Sequence, residues 1–274
     1  HDSKAIEYDF TEVRFELEKT SHFTFEEKFD ITPFVPKENT LKAFNQISRI
    51  QEFALLKRMK HIGAKTIIIG VSGGLDSTLA LLVAHRTFKL LGKDPKDIIA
   101  VTMPGLGTSD RTKGNAMDLM EKLGLTILVK PISQATLEHF KVIGHDEDVK
   151  DTVYENVQAR IRTLILMNLA NENRGIVLGT GDMSELALGW CTYNGDQMSM
   201  YGINAGLPKT LVQFMVKQYA EVRFTEIKDI LMDVIDTPIS PELIKNQKTE
   251  DSVGKYEIND FILYRYLSCG DTED

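Results

Sequence analysis

Short apolar runs alternate with helical stretches over much of the chain. Thr66–Val71 is rich in β-branched residues and ends at glycines, so it predicts a buried parallel strand. Ile98–Met103 and Leu125–Val129 predict two more strands, with a helix over Asp110–Leu123 between them. This alternation predicts an α/β fold, a doubly wound parallel sheet with helices on both faces.

Two longer helices and a fourth strand extend this pattern. A helix is predicted from Asn39 or Thr40, either of which can cap it, to about residue 61. The stretch Thr152–Asn171 carries an apolar stripe at helical spacing and predicts another long helix. Gly175–Glu185 repeats the order strand, glycine-rich turn and helix.

The opening segment differs from the rest of the chain. Residues 1–38 mix charged and aromatic residues without a helical period. Val13 and Phe15 alternate with charged residues, which is compatible with a short half-buried strand. Ile31–Pro36 has the prolines of an extended linker. We therefore predict a connector over residues 1–38 and the main domain over residues 39–274.

Composition narrows the class of protein. The chain has 274 residues, 42% of them hydrophobic, which is ordinary for a globular domain with an appendage. Its net charge of −8 argues against a nucleic-acid partner. No apolar run reaches the ~20 residues of a membrane helix, and the start does not resemble a signal peptide. Cys191 and Cys269 suggest neither a disulfide framework nor a zinc cluster. These features predict a cytoplasmic enzyme without a membrane partner.

The turn after the first predicted strand is the strongest chemical signal. Its sequence, Ser72-Gly-Gly-Leu-Asp-Ser77, joins a strand to a helix, so backbone N–H groups and the positive helix end converge there. Such a point stabilises an anion, and pyrophosphate is the expected one. The turn matches neither the Walker pattern nor the dinucleotide pattern of glycines. The alternative is a plain strand-to-helix turn, which glycines also serve.

The second glycine-rich turn offers a matching carboxylate. Thr180 is expected at the end of its strand, and Glu185 in the first turn of its helix. Glu185 could simply be a favourable charge at a helix start. Together with Asp76, however, it supplies the two carboxylates that a magnesium ion bridging phosphates requires. Arg160, in the middle of an apolar helix, either pairs with a carboxylate or binds an anionic ligand.

Five motifs occur in order: SGGLDST at Ser72, YENVQARIR at Tyr154, GTGDMSELALGW at Gly179, TYNGDQMS at Thr192 and NAGLPKTL at Asn204. The first resembles the pyrophosphate loop of the N-type ATP pyrophosphatases, which implies the adenine nucleotide alpha hydrolase-like fold. Together the five motifs resemble the synthetase domain of glutamine-dependent NAD synthetase, over roughly residues 40 to 268. The opening segment is similar to the connector that follows the glutaminase domain in that family.

The resemblance implies roles for individual residues. It implies that ATP is held by Ser72, Gly73, Gly74, Asp76, Ser77, Thr180, Lys209 and Ser240. It implies magnesium ligands at Asp76 and Glu185, and a pocket for nicotinic acid adenine dinucleotide lined by Asn156, Arg160, Glu185, Trp190 and Tyr193. Asp196 is implied near the ammonia, where it could take a proton from ammonium. Without the family, Lys209 is only a lysine at a helix start, and Trp190 more often a core residue.

The implied reaction is the ATP-dependent amidation of nicotinic acid adenine dinucleotide to NAD through an adenylated intermediate. Lys209 and magnesium would offset the repulsion between the anions, and AMP and pyrophosphate would be released. The family also implies a glutaminase domain as ammonia source, a homodimer through this domain, and a basic C-terminal segment beyond Asp274. Neither Cys191 nor Cys269 stands in a context that replaces the glutaminase nucleophile.

Two alternatives remain at this point. One is another N-type ATP pyrophosphatase, such as a GMP synthetase or a tRNA-modifying thiolase; the lack of a Cys-x-x-Cys pair and the acidic balance weigh against the thiolase. The other is a non-catalytic domain that binds nucleotide, which would bind ATP without releasing AMP.

Overall fold

The structure, a computed structural model, describes residues 11–16, 28–107, 110–239, 243 and 249–272, with the side chains of residues 110–113 excepted. The chain divides into two compact units, residues 1–30 and 31–274. This division lies earlier than the boundary we predict near residue 38. Within the larger unit, Phe34 packs edge-on against Tyr264 with ring centroids 5.2 Å apart. The segment Ile31–Pro36, which we predict as a linker, therefore packs against the helix Tyr256–Tyr264.

The strand compatible with Val13 and Phe15 is not found. Residues 11–16 have no regular secondary structure, and both side chains are exposed. All strands and helices of the described residues belong to the larger unit. The strands of the described residues are β1 Ile67–Gly70, β2 Ile98–Thr102, β3 Thr126–Val129, β4 Ile176–Gly179 and β5 Tyr201–Gly202.

The α-helices of the described residues are α1 Thr40–Ile62, α2 Leu75–Leu91, α3 Asp110–Lys122, α4 Ser133–Ile143, α5 Thr152–Glu172, α6 Met183–Leu188, α7 Lys209–Val222, α8 Lys228–Ile235, α9 Thr249–Val253 and α10 Tyr256–Tyr264. Short 3-10 turns span Pro95–Asp97 and Thr225–Ile227, and a π-helical turn, Arg265–Cys269, follows α10. Asn39 precedes α1 as we predict, but its backbone is left-handed and its side chain makes no capping hydrogen bond. Among the described residues, no helix is both long and apolar enough to cross a membrane.

The five strands form one parallel sheet in the order β3-β2-β1-β4-β5. The chain runs outward from β1 through β2 to β3 and then returns to β4 on the other side of β1. The order of the strands therefore reverses between β1 and β4. Ligands of doubly wound sheets bind beyond the carboxyl ends of the strands at such a point.

Successive side chains of β1 enter two different cores. Ile67 and Ile69 lie in the larger core, with residues of α1, α2, α7 and α8, whereas Ile68 lies in a smaller core against α5. This follows from the alternation of side chains along a strand. The predicted sheet with helices on both faces is thereby confirmed.

A buried ion-pair network joins α1 to α7. The carboxylate of Glu52 is only 2% exposed; it contacts the Arg223 guanidinium and accepts a hydrogen bond of 3.1 Å from the Tyr219 hydroxyl. Arg223 also donates to Asn45 and Ser48, both on α1, at 3.0 Å. A charge buried this deeply is tolerated when it is paired and hydrogen-bonded. The network joins α1 to the C-terminal end of α7, the end opposite Lys209.

Candidate active site

The turn between β1 and α2 is closed by its own hydroxyl groups. Ser72 Oγ accepts from the Gly74 N–H at 3.1 Å and lies 3.3 Å from Ser77 Oγ, which itself contacts the Gly74 carbonyl. Gly73 has a φ of 89°, which a side chain would strain. Gly74 occupies the N-cap position of α2 and provides no side-chain cap. The first N–H groups of this helix are therefore offered to a ligand.

The turn between β4 and α6 holds two carboxylates in a capping box. Asp182 Oδ1 accepts from the Glu185 N–H at 2.8 Å, and Glu185 Oε2 accepts from the Asp182 N–H at 3.3 Å. Each carboxylate keeps its second oxygen for other contacts. Thr180 follows β4 directly, as we predict, and Glu185 lies in the first helical turn. The two hydrogen bonds of the capping box thus orient both carboxylates.

One buried amide joins the two turns. Asn204 is completely buried, and its Nδ2 donates to the carbonyl oxygens of Asp76 and Thr180, both at 3.0 Å. Its Oδ1 accepts at 3.3 Å from Gln51 Nε2, which also donates to the Ile203 carbonyl. Both N–H groups of Asn204 are thereby used on backbone carbonyls, one at each turn. The amide fixes the distance between the two glycine-rich turns.

Lys209 lies at the centre of three carboxylates. Its side chain is 2% exposed, and its Nζ lies 2.6 Å from Asp76 Oδ2, 2.9 Å from Asp182 Oδ2 and 2.9 Å from Glu185 Oε1. Asp76 belongs to the first turn, Asp182 and Glu185 to the second, and Lys209 to the start of α7. Three segments that are distant in sequence therefore meet at the crevice between β1 and β4.

The charges of this cluster shift one another's pKa values. Burial alone would lower the pKa of the Lys209 ammonium, but the attraction of Asp76, Glu185 and Asp182 outweighs it and raises that pKa well above its usual value. Burial, and then repulsion from Asp76, raises the pKa of Asp182 and of Glu185. Lys209 therefore stays charged. Its single positive charge does not balance the three carboxyl groups around it.

The donor set fits a divalent cation. Asp76, Asp182 and Glu185 each offer a carboxylate oxygen, and these atoms lie within 4.8 Å of one another. Asp76 Oδ1 is buried and has no hydrogen-bond partner within the described part of the chain. Carboxylate oxygens are the ligands that magnesium takes in nucleotide sites. The unpaired oxygen and the raised pKa values of the two other acids both fit the residues to hold a cation.

Asp260, which is buried like Asp182, joins the helix starts that carry the cluster. Asp260 on α10 is completely buried; its Oδ1 accepts from Ser184 Oγ at 2.5 Å, and its Oδ2 accepts from the Thr210 N–H at 2.8 Å and from Thr210 Oγ1 at 2.6 Å. Ser184 Oγ in turn accepts from the Lys209 N–H at 2.9 Å. Because Lys209 and Thr210 are the first residues of α7, Ser184 and Asp260 each satisfy one backbone donor that the helix start leaves open.

The residues implied in dinucleotide binding form a neighbouring group. Asn156 Oδ1 accepts from Thr192 Oγ1 at 2.7 Å, and Arg160 Nε donates to the Tyr193 carbonyl at 3.1 Å. The structure therefore brings α5 and the loop after α6 together, as the prediction requires. The Tyr193 side chain is 78% exposed, so its ring is open to a ligand.

Asp196 and Trp190 lie on the same loop. Asp196 is exposed as a residue, but its Oδ1 accepts from the Thr192 N–H at 2.8 Å, and desolvation of the carboxyl raises its pKa. Trp190 is partly buried, and its backbone N–H donates to the Glu185 carbonyl at 2.9 Å. This bond links the loop to the carboxylate cluster. Ser240, the remaining predicted ATP residue, lies outside the described residues.

Sequence reasoning missed three residues of the site. Asp182 has a local signal, since Asp-x-x-Glu at a helix start is the pattern of a capping box. Asn204 stands first in the motif NAGLPKTL, but that motif does not reveal its role, because the two turns it joins lie far away in sequence. Asp260 has no local signal, because only the fold brings Ser184 and Thr210 close to it.

The chain is similar to known proteins over most of its length. The sequence profile of the NAD synthase family matches residues 46–274. Glutamine-dependent NAD(+) synthetase of Mycobacterium leprae is 42% identical over 97% of this chain and 42% of its own length. The protein of that name from Acinetobacter baylyi is 31% identical over 93% of this chain and 47% of its own length. The chain thus spans less than half the length of these curated relatives.

Solved structures resemble the fold. Glutamine-dependent NAD+ synthetase from Acinetobacter baumannii, in complex with adenosine diphosphate, matches with a TM-score of 0.66 at 27% identity, over 85% of this chain and 40% of that one. NMN synthetase from Francisella tularensis matches with a TM-score of 0.69 at 23% identity, over 84% and 88% of the two chains. These neighbours have the adenine nucleotide alpha hydrolase-like fold that the first motif implies. From the profile match and the identity to the Mycobacterium leprae protein, the chain belongs to the NAD synthase family.

Proposed function

We propose that this chain catalyses the ATP-dependent amidation of nicotinic acid adenine dinucleotide to NAD, with release of AMP and pyrophosphate. The observation that carries the proposal is the buried Lys209 between Asp76, Asp182 and Glu185, at the crevice between β1 and β4. An ammonium group beside acids suited to magnesium can stabilise the charge that develops on pyrophosphate when the adenylyl group of ATP is transferred. The names of the relatives supply the substrate class.

The phosphates of ATP would lie against the turn Ser72–Ser77, where the uncapped N–H groups of α2 face a ligand. Thr180 and Lys209 would contact them from the second turn and from α7, and Ser240 is a further predicted contact. Magnesium bound at Asp76 and Glu185, with Asp182 beside them, would neutralise phosphate charge and stabilise the leaving pyrophosphate.

In the first step, a carboxylate oxygen of the nicotinate group attacks the α-phosphorus of ATP. A phosphorus–oxygen bond forms, and the bond from the α-phosphorus to the leaving pyrophosphate breaks. The Lys209 ammonium, kept charged by its three acids, would attract the negative charge that builds on the leaving group. Asn156, Arg160, Glu185, Trp190 and Tyr193 would hold the dinucleotide so that its carboxylate reaches this position.

In the second step, ammonia attacks the activated carbonyl, and AMP leaves with one of the original carboxylate oxygens. The nitrogen must be neutral to attack, so a base must take a proton from ammonium. Asp196 would be this base. Desolvation raises the pKa of its carboxyl above that of a fully solvated aspartate, and so closer to neutral pH. An Asp196→Asn variant should therefore lose NAD formation most strongly at low ammonium concentration, and an unchanged ammonium dependence would remove Asp196 from this role.

The test of the proposal is a product analysis of the chain with ATP, magnesium, ammonium and nicotinic acid adenine dinucleotide. Equal amounts of AMP, pyrophosphate and NAD would support it. AMP formed only with another acceptor, such as xanthosine monophosphate, would favour a GMP synthetase. ATP binding without AMP would favour a non-catalytic domain. Nicotinic acid mononucleotide should be included, since one structural neighbour is named an NMN synthetase.

Two predictions about partners and one about cellular location accompany this function. A glutaminase domain would supply the ammonia, since the chain matches only part of the glutamine-dependent relatives. A homo-oligomer is expected, and sedimentation of the chain would test it. We also propose a cytoplasmic location, which fractionation of cells would test.

A further inference from the structure

Tyr256 carries a buried hydroxyl group without a partner. It is the first residue of α10 and is only 3% exposed. Its hydroxyl has no hydrogen-bond partner within the described part of the chain. A phenol normally finds one when it is buried, because an unpaired polar group in the interior is unfavourable. This hydroxyl therefore has hydrogen-bonding capacity that the described part of the chain does not use.

The unpaired hydroxyl belongs to the carboxylate cluster. The Lys209 ammonium lies 5.1 Å from the centroid of the Tyr256 ring, within the range of a cation–π contact. Lys209, Glu185, Asp182 and Asp76, in that order, also act electrostatically on the phenol. Tyr256 thus borders the same charged centre as the two glycine-rich turns.

The helix α10, which Tyr256 begins, is anchored by hydrogen bonds to neighbouring helices. Its backbone N–H donates to Glu250 Oε1 at 3.1 Å. One helical turn later, Asp260 bonds to Ser184 and Thr210, at the starts of α6 and α7. Because residues four apart lie on the same face of a helix, the anchor at Asp260 places Tyr256 on the face of α10 that meets the starts of α6 and α7.

We propose that the Tyr256 hydroxyl donates a hydrogen bond to a phosphate oxygen of the nucleotide that binds beside Lys209, which makes Tyr256 a further ligand-contacting residue. A tyrosine hydroxyl is a donor at neutral pH, and a phosphate oxygen is an acceptor that the adjacent ammonium attracts. The inference rests on the proposed function for the identity of the nucleotide.

The test removes one oxygen atom, in a Tyr256→Phe variant of the whole chain. Without nucleotide its melting temperature should equal or exceed that of the wild type, because the lost hydroxyl has no partner. With ATP and magnesium, its affinity should fall by roughly tenfold, as expected for one lost hydrogen bond to a charged group. The KM for ATP should rise in the same proportion.

Tyr219→Phe is a matched control. That hydroxyl is also buried, but it donates to Glu52 in the network between α1 and α7. This variant should melt at a lower temperature and bind ATP with unchanged affinity. The inference is overturned if Tyr256→Phe binds ATP as the wild type does, or if it only melts earlier. A wild type whose melting temperature ATP and magnesium do not raise would contradict the proposed function itself.

Discussion

At the scale of single residues, the charge of Lys209 determines how the site responds to substitution. Lys209→Met keeps most of the side-chain volume but leaves three buried or half-buried acids without their cation. Removing one partner of a buried ion pair costs about 3–5 kcal/mol. We expect a loss of that size in the free energy of unfolding, measured with urea in the presence of EDTA, together with loss of AMP formation.

Magnesium should return part of this stability, because a cation can replace the missing ammonium among the acids. Lys217→Met is the control: Lys217 lies on the same helix but is exposed, so its loss should change neither stability nor activity measurably. If Lys209→Met unfolded in EDTA at the same urea concentration as the wild type, the charge balance described above would be wrong.

Asp182 can be tested separately as a cap and as a charge. Asp182→Asn keeps a capping side chain, whereas Asp182→Ala loses the cap, which costs about 1 kcal/mol. We expect Asp182→Asn to keep its stability but to bind magnesium more weakly, because one of three adjacent carboxylates is neutral. Titration with manganese, followed by electron paramagnetic resonance, measures the affinity. Equal affinities in the wild type and Asp182→Asn would exclude Asp182 from the cation site.

The residues of the site could be predicted only as far as local motifs reach. Asp76, Glu185 and Lys209 stand in motifs that the family resemblance identifies, and the structure brings them into contact. Asn204 also stands in one of these motifs, but its role depends on contacts with residues that are distant in sequence, and Asp260 acts through such contacts without standing in any motif.

At the scale of elements, Asn204 is the link between the two turns that carry the site. Asn204→Ala would take the side-chain donor from the Thr180 carbonyl and from the Asp76 carbonyl, the latter of which keeps its place in the hydrogen-bond ladder of α2. A polar group left unpaired in the interior costs about 1–3 kcal/mol. We expect a matching fall in the free energy of unfolding and a larger fall in kcat/KM for ATP than the loss of stability alone explains, since the turns would no longer be held in register.

A variant destabilised elsewhere separates these two effects. Glu52→Gln weakens the buried network between α1 and α7, away from the turns. It should lower the melting temperature but leave the KM for ATP unchanged at a temperature where the protein is folded. If both variants changed KM equally, the role of Asn204 in positioning would be refuted.

The elements with a clear periodicity were predictable, and the others were not. Thr66–Val71 and Thr152–Asn171 are long enough for their apolar patterns to identify a strand and a helix, and both agree with β1 and α5. The two residues of β5 are too few to show a period. Alternation at Val13 and Phe15 gave a false strand signal, since nothing in the described part of that segment pairs with them.

At the scale of the whole molecule, the proposed function includes ammonia as the source of nitrogen. Burial raises the pKa of the Cys191 thiol, and Asp196 and Glu185 raise it further, so this thiol is a poor nucleophile toward glutamine. We expect NAD formation with ammonium and none above background with glutamine, measured by coupled NAD detection. Efficient use of glutamine by the chain alone would show that a glutaminase site exists within it.

The most direct test of the central claim follows an oxygen atom. Nicotinic acid adenine dinucleotide labelled with ¹⁸O in its carboxylate is converted with ATP, magnesium and ammonium, and the phosphate products are analysed by mass spectrometry. If the carboxylate attacks the α-phosphorus at this site, one ¹⁸O atom appears in AMP and none in pyrophosphate. Label in inorganic phosphate, with ADP as the other product, or unlabelled AMP formed together with NAD, would contradict the adenylation mechanism.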